Sequence, residues 1–172
     1  MPWMLAADPE LTAGILLATP ARPIDVSLTE QAAVLRTLPG GEPAAAALES
    51  SLGGVIDLRN GDESNIPPGA SADFFRSWFA ITDALPTVLD QIEQPILALN
   101  GEFDLNVGVD HLADWDAMLS GAGVELEVQE LPCVTHVLNC IDGPLLEAGV
   151  ADIGTSVAPE VTDAIIKFLA TT

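Results

Sequence analysis

Two short, unbroken apolar runs constrain this chain more than any other feature. Ala13-Gly14-Ile15-Leu16-Leu17-Ala18-Thr19 is closed by Pro20, and Pro95-Ile96-Leu97-Ala98-Leu99-Asn100-Gly101 is apolar up to Asn100. Neither is long enough for a buried helix and neither alternates, so each predicts a strand covered on both faces, as parallel strands under crossover helices are. Val124-Glu125-Leu126-Glu127-Val128-Gln129-Glu130-Leu131 alternates apolar with polar, which predicts an edge strand. Between the second and third runs, Leu112, Trp115 and Leu119 recur at helical spacing from Asp110 to a stop at Gly121. Pro159 opens a final helix to Leu169, with Val161, Ile165, Phe168 and Leu169 expected on its buried face. Strands alternating with helices predict an α/β fold with a parallel sheet of about three or four strands.

The stretch from residue 21 to 85 breaks this rhythm with repeated proline and glycine, and it reads as a cap-like helical excursion from a core formed by residues 1–20 and 86–172. Short helices are expected over Leu28 to Leu38 and Ala44 to Leu52. The aromatic group Phe74, Phe75, Trp78 and Phe79 is expected to pack the excursion onto the core. With 172 residues the chain is sized for a single domain.

Composition narrows the partners. Hydrophobic residues make up 49%, yet no apolar stretch reaches the ~20 residues of a membrane-spanning helix, so no membrane association is expected. Against 26 Asp and Glu stand 5 Lys and Arg, a formal charge of −21, which repels phosphate backbones and argues against nucleic acid. So dense a negative surface suits a saline, halophilic setting, where salt screens it. Cys133 and Cys140 are too few for a disulfide framework, and both are expected to be reduced. No basic region followed by an apolar stretch opens the chain, so the expected location is cytoplasmic.

The chemistry-bearing residues lie past the strand ends. Asn100-Gly101-Glu102-Phe103-Asp104 places an acid just after the second strand, and Leu131-Pro132-Cys133-Val134-Thr135-His136 places a histidine just after the third. The C-terminal edge of a parallel sheet is where open α/β folds build their sites. An acid followed by a base on successive loops is the order of the last two members of a hydrolase triad, in which the acid sets the imidazole tautomer. Cys133, His136 and Cys140 form a C-x2-H-x3-C cluster without a fourth ligand, so neither metal nor other cofactor is expected. His111 follows Asp110 at a helix start, where Asp110 is expected to cap and His111 to be solvated.

At these residues the chain resembles bacterial α/β-hydrolase-fold esterases. The resemblance runs through Asp8 to Asp25 with its Pro20-Ala21-Arg22-Pro23 element, Phe75 to Phe79, Gly101-Glu102-Phe103-Asp104 with Val107, Trp115, and the loop from Leu131 to Leu138. It implies that Asp104 is the catalytic acid, that His136 is the catalytic base, and that the substrate is a small-molecule ester. The family's serine sits in a Gly-x-Ser-x-Gly turn that would fall before Met1, so the resemblance implies the C-terminal half of such an enzyme, with a partial α/β-hydrolase fold and helical cap. Within the chain, Glu49-Ser50-Ser51-Leu52-Gly53-Gly54 looks like that turn with Glu49 in place of the first glycine, making Ser51 the nucleophile candidate. The same residues also read as a helix end closed by glycine. The alternative to an esterase is a non-catalytic truncated hydrolase scaffold or a self-associating interaction module, and the partner expected is a second copy, paired as a homodimer through an exposed sheet edge.

Overall fold

The computed structural model describes residues 2–67, 69, 71–142 and 156–172. The strands β1 (Gly14–Leu17), β2 (Ile96–Gly101) and β3 (Leu126–Leu131) form a three-stranded sheet in that order. Both pairings are parallel, with Gly14 opposite Ile96 and Leu17 opposite Leu99, then Ile96 opposite Leu126 and Gly101 opposite Leu131. The helices are α1 (Pro2–Ala7), α2 (Ile24–Thr37), α3 (Glu42–Arg59), α4 (Ala72–Leu89), α5 (His111–Gly121) and α6 (Pro159–Leu169). The fold is α/β, a parallel sheet with crossover helices. No helix among the described residues is long and apolar enough to cross a membrane.

Every residue of β2 is buried, and its alternation explains why the run is uniformly apolar. Ile96 and Ala98 join Leu5 of α1, Leu16 of β1, Leu85 and Leu89 of α4, and Trp115 and Leu119 of α5. Leu97 and Leu99 point to the opposite face, into a cluster with Leu131, Val134 and Val161, Ala164 and Phe168 of α6. A strand sandwiched this way has no solvated face to make polar. Burying each large apolar side chain contributes about 1.5–3 kcal/mol, so β2 is the centre of this core.

The chain divides into two compact units, Met1–Ala21 with Leu85–Thr172, and Arg22–Ala84. The second unit carries its own core, where Ile24, Val55, Leu58, Phe75 and Phe79 meet. Of the four aromatics, Phe75 and Phe79 belong to this cluster and Trp78 packs against it, while Phe74 is exposed. Arg59 lies 4.9 Å above the Phe79 ring and 2.8 Å from Asp83, covering one side of it.

Several local expectations are corrected. Helix α3 runs through Gly53 and Gly54 to Arg59, because Gly54 is there for proximity: a Cβ at that position would collide with the Asn65 carbonyl. On α6 the buried residues are Val161, Ala164 and Phe168, while Leu169 is 51% exposed; the inward stripe is rotated toward the small Ala164, which lets the helix approach the sheet. His111, expected in solvent, is 2% exposed. Its Nδ1 accepts the N–H of Ala21 at 3.0 Å, pinning the turn that follows β1. Asp110 occupies the N-cap position of α5 without a side-chain cap hydrogen bond. Cys133 and Cys140, expected as thiols, are joined in a disulfide across Cα atoms 4.8 Å apart.

Candidate active site

Asp104 sits three residues past the end of β2, on a turn whose shape follows from its own side chain. Its Oδ1 accepts the backbone N–H groups of Asn106 at 2.8 Å and Val107 at 2.9 Å, and its own N–H donates to the Gly101 carbonyl at 3.1 Å. Short acids turn the backbone back on themselves in this way. Asn100, the polar residue that ends the apolar run, is 2% exposed and donates from Nδ2 to the Val107 carbonyl at 2.8 Å, closing the turn from the strand side.

His136 comes from the loop after β3, adjacent to β2 in the sheet. Parallel pairing brings the exits of the two strands side by side at the C-terminal edge, and main-chain bonds join their loops. The Glu102 N–H donates to the Leu131 carbonyl and the Phe103 N–H to the Val134 carbonyl, both at 2.9 Å. Gly101 permits that approach, since a Cβ there would overlap the Val134 carbonyl. The Cys133 N–H donates to Glu102 Oε2 at 3.2 Å.

The outcome is an acid and base in contact. His136 Nδ1 lies 3.0 Å from Asp104 Oδ2; the aspartate side chain is fully buried, whereas that of His136 is 40% exposed. A carboxylate only accepts, so Nδ1 carries the proton and the Nε2 lone pair is the basic position. The hydrogen bond to Asp104 raises the His136 pKa above its ordinary value; burial opposes this and the Asp104 charge adds to it. Such a pair accepts a proton at Nε2 and stabilises the resulting imidazolium.

Ser51 is placed differently from a nucleophile turn. It lies inside α3 in the second unit, where Ser51 Oγ donates to the Ala47 carbonyl at 3.4 Å. Neighbouring Glu49 pairs with Arg36 through two bonds of 2.5 and 2.6 Å. The regular helix lacks the sharp strand-to-helix bend that exposes a catalytic serine. The disulfide occupies both sulfurs of the C-x2-H-x3-C cluster.

The sequence pointed to Asp104 and His136 but not to the groups that hold them. Asn100 had a signal, a polar residue at the end of a wholly apolar strand. The supporting role of Glu102 had none, because only the strand register brings it to Cys133. No family model matches the chain, and no curated protein matches it.

Proposed function

We propose that this chain is a carboxylic ester hydrolase of small acyl substrates, with His136 as general base and Asp104 as the acid that orients it. The observation that supports the reading is the 3.0 Å bond between His136 Nδ1 and Asp104 Oδ2 at the ends of adjacent parallel strands. The resemblance to bacterial α/β-hydrolase-fold esterases supplies the reaction class. In that reading Nε2 takes the proton of an attacking hydroxyl, Asp104 stabilises the imidazolium, and the proton passes to the leaving alcohol.

Ser51 is the hydroxyl within the chain to test first, by Ser51→Ala. Turnover of a short-chain nitrophenyl ester by purified protein, beside His136→Ala, tests the whole proposal. Activity that depends on His136 supports it; turnover equal to that of His136→Ala overturns it. A disulfide beside the base suits an oxidising compartment, where the pair stays closed, better than the cytoplasm.

A second reading rests on β1. Among the described residues it pairs on one side only, with β2, and Leu17 on it is 36% exposed. A second copy pairing at this edge would form a homodimer whose assembly salt promotes by screening the charge of −21. Equal sedimentation at low and molar salt would contradict it.

A further inference from the structure

We propose that the Cys133–Cys140 disulfide is the positioning element of the His136 imidazole: closed, it holds the loop that presents His136 to Asp104, and a dithiol reductant opens it and releases the imidazole. This deepens the hydrolase reading, but its argument and test rest on the loop itself.

The disulfide spans a sequence separation of 7 and His136 lies inside the ring it closes. Within that ring the Thr135 N–H donates to the Asn139 carbonyl at 2.8 Å and the Leu138 N–H to the Thr135 carbonyl at 2.9 Å. The buried side chains of Thr135 and Asn139 are also hydrogen-bonded to each other. Val134 and Cys140 form an isolated antiparallel bridge, so the cross-link lies over the neck of the loop. Two residues of the loop, Cys133 at φ 59° and Leu138 at φ 66°, occupy the left-handed region. Non-glycine residues enter that region at a cost, so the surrounding contacts hold this shape: the Ile141 N–H donates to the Cys133 carbonyl at 3.1 Å and the Ala158 N–H to the Leu138 carbonyl at 2.8 Å, and the disulfide adds a covalent constraint to these bonds.

The loop is joined to the acid's side of the site at the same place. Glu102 and Asp104, both from the loop after β2, are the carboxylates bonded to it: Glu102 at the Cys133 N–H and Asp104 at the imidazole. Opening the ring at Cys133 therefore loosens the segment between these two anchors. His136 is held to Asp104 by a single side-chain bond and is half-buried, so a small displacement of the loop is enough to break it.

The disulfide can be reached. Cys140 is exposed and Cys133 partly so. A thiolate of the dithiol attacks Cys140 Sγ, forms a mixed disulfide with it, and expels Cys133 as a thiolate that takes up a proton. The second thiol of the reductant then displaces Cys140, which leaves as a thiolate and is protonated. Two electrons pass to the protein, and the reductant becomes its own disulfide.

The test is a proton NMR titration of the two histidines in the full chain, first as isolated in air, then with excess dithiothreitol, then after reoxidation. His136→Gln assigns the signals, and Cys140→Ser repeats the reduced state without reagent. In the oxidised chain the His136 midpoint lies above the ordinary value of about 6.5. On reduction, and in Cys140→Ser, it falls toward that value and reoxidation restores it, while the His111 signal and the far-UV circular dichroism stay as they were. A His136 midpoint insensitive to reduction overturns the proposal, as do two free thiols in the chain as isolated. Loss of the dichroism on reducing the wild-type chain also overturns it, because the cross-link would then hold the fold rather than the imidazole. Absence of ester turnover would remove the hydrolase reading and leave this result standing.

Discussion

The carboxylate of Asp104 divides its two oxygens between two tasks: Oδ1 receives the N–H groups of Asn106 and Val107, and Oδ2 faces His136 Nδ1 at 3.0 Å. The first task fixes the carboxylate, and the second uses its fixed position to choose the imidazole tautomer. Neither oxygen can be moved without disturbing the other.

Asp104→Asn separates the tasks. The amide oxygen can still serve the turn, but an amide N–H facing Nδ1 forces the proton onto Nε2 and removes the base. Ester turnover is expected to fall by about 10³–10⁴-fold, in kcat more than KM, with the fold retained. Steady-state kinetics on a nitrophenyl ester, alongside circular dichroism, checks both parts.

The raised pKa of His136 makes stability depend on pH with a definite sign. Its hydrogen bond to Asp104 favours the protonated imidazole, so the contribution is complete below the unfolded value of about 6.5 and is lost as pH rises through the folded midpoint. The wild type should exceed His136→Gln in urea stability by more at pH 5.5 than at pH 9. Because the imidazole is 40% exposed, solvent screening keeps the difference under about 1 kcal/mol. A gap that widens with pH would refute this.

Gly101→Ala and Gly53→Ala should move stability in opposite directions. At Gly101 the added methyl overlaps the Val134 carbonyl, which is held by the Phe103 N–H, so a loss of about 1–3 kcal/mol is expected. At Gly53, inside α3, nothing lies within 4 Å, and alanine should add about 0.5–1 kcal/mol. Chemical denaturation of both variants gives the comparison.

His111→Leu keeps the bulk inside the core but removes the acceptor for the Ala21 N–H. Leaving a fully buried donor unpaired costs about 1–3 kcal/mol, and because Ala21 is only partly buried the loss is expected at the lower end, about 1 kcal/mol. An unfolding midpoint equal to that of the wild type would show that this bond contributes nothing.

The charge of −21 predicts a salt response. Exposed pairs such as Arg36 with Glu42 and Glu49 offset little of the repulsion. Raising NaCl from low to molar concentration should therefore raise the melting temperature, as screening shortens the range of repulsion from about 30 Å to 3 Å. A flat thermal-shift profile across that range would exclude it.

Strand β2 was legible because burial on both faces leaves one possible composition; β1, expected to be covered in the same way, instead has Leu17 36% exposed at its end. Ile96 to Leu99 have no solvated side, and their residue types say so. Helices α5 and α6 were legible from apolar spacing with glycine and proline at their ends. Helices α1 and α4 were not predicted: α1 is six residues long, and Pro86 within α4 reads as a break. The end of α3 was misread because Gly54 resembles a helix stop in sequence, while in space it makes room for Asn65.

The same division runs through the site. Local sequence determined that an acid and a histidine would each follow a strand, because short strands end in polar turns and residue type sets what each group can do. Tertiary structure decided that they meet: the parallel register of β2 and β3 sets their exits side by side, and Gly101 lets the loops touch. It also decided that His111 is buried and that Cys133 joins Cys140. Contacts of this kind depend on where distant or folded-back segments come to rest, and a few ångströms of backbone placement outweigh any preference a residue carries alone.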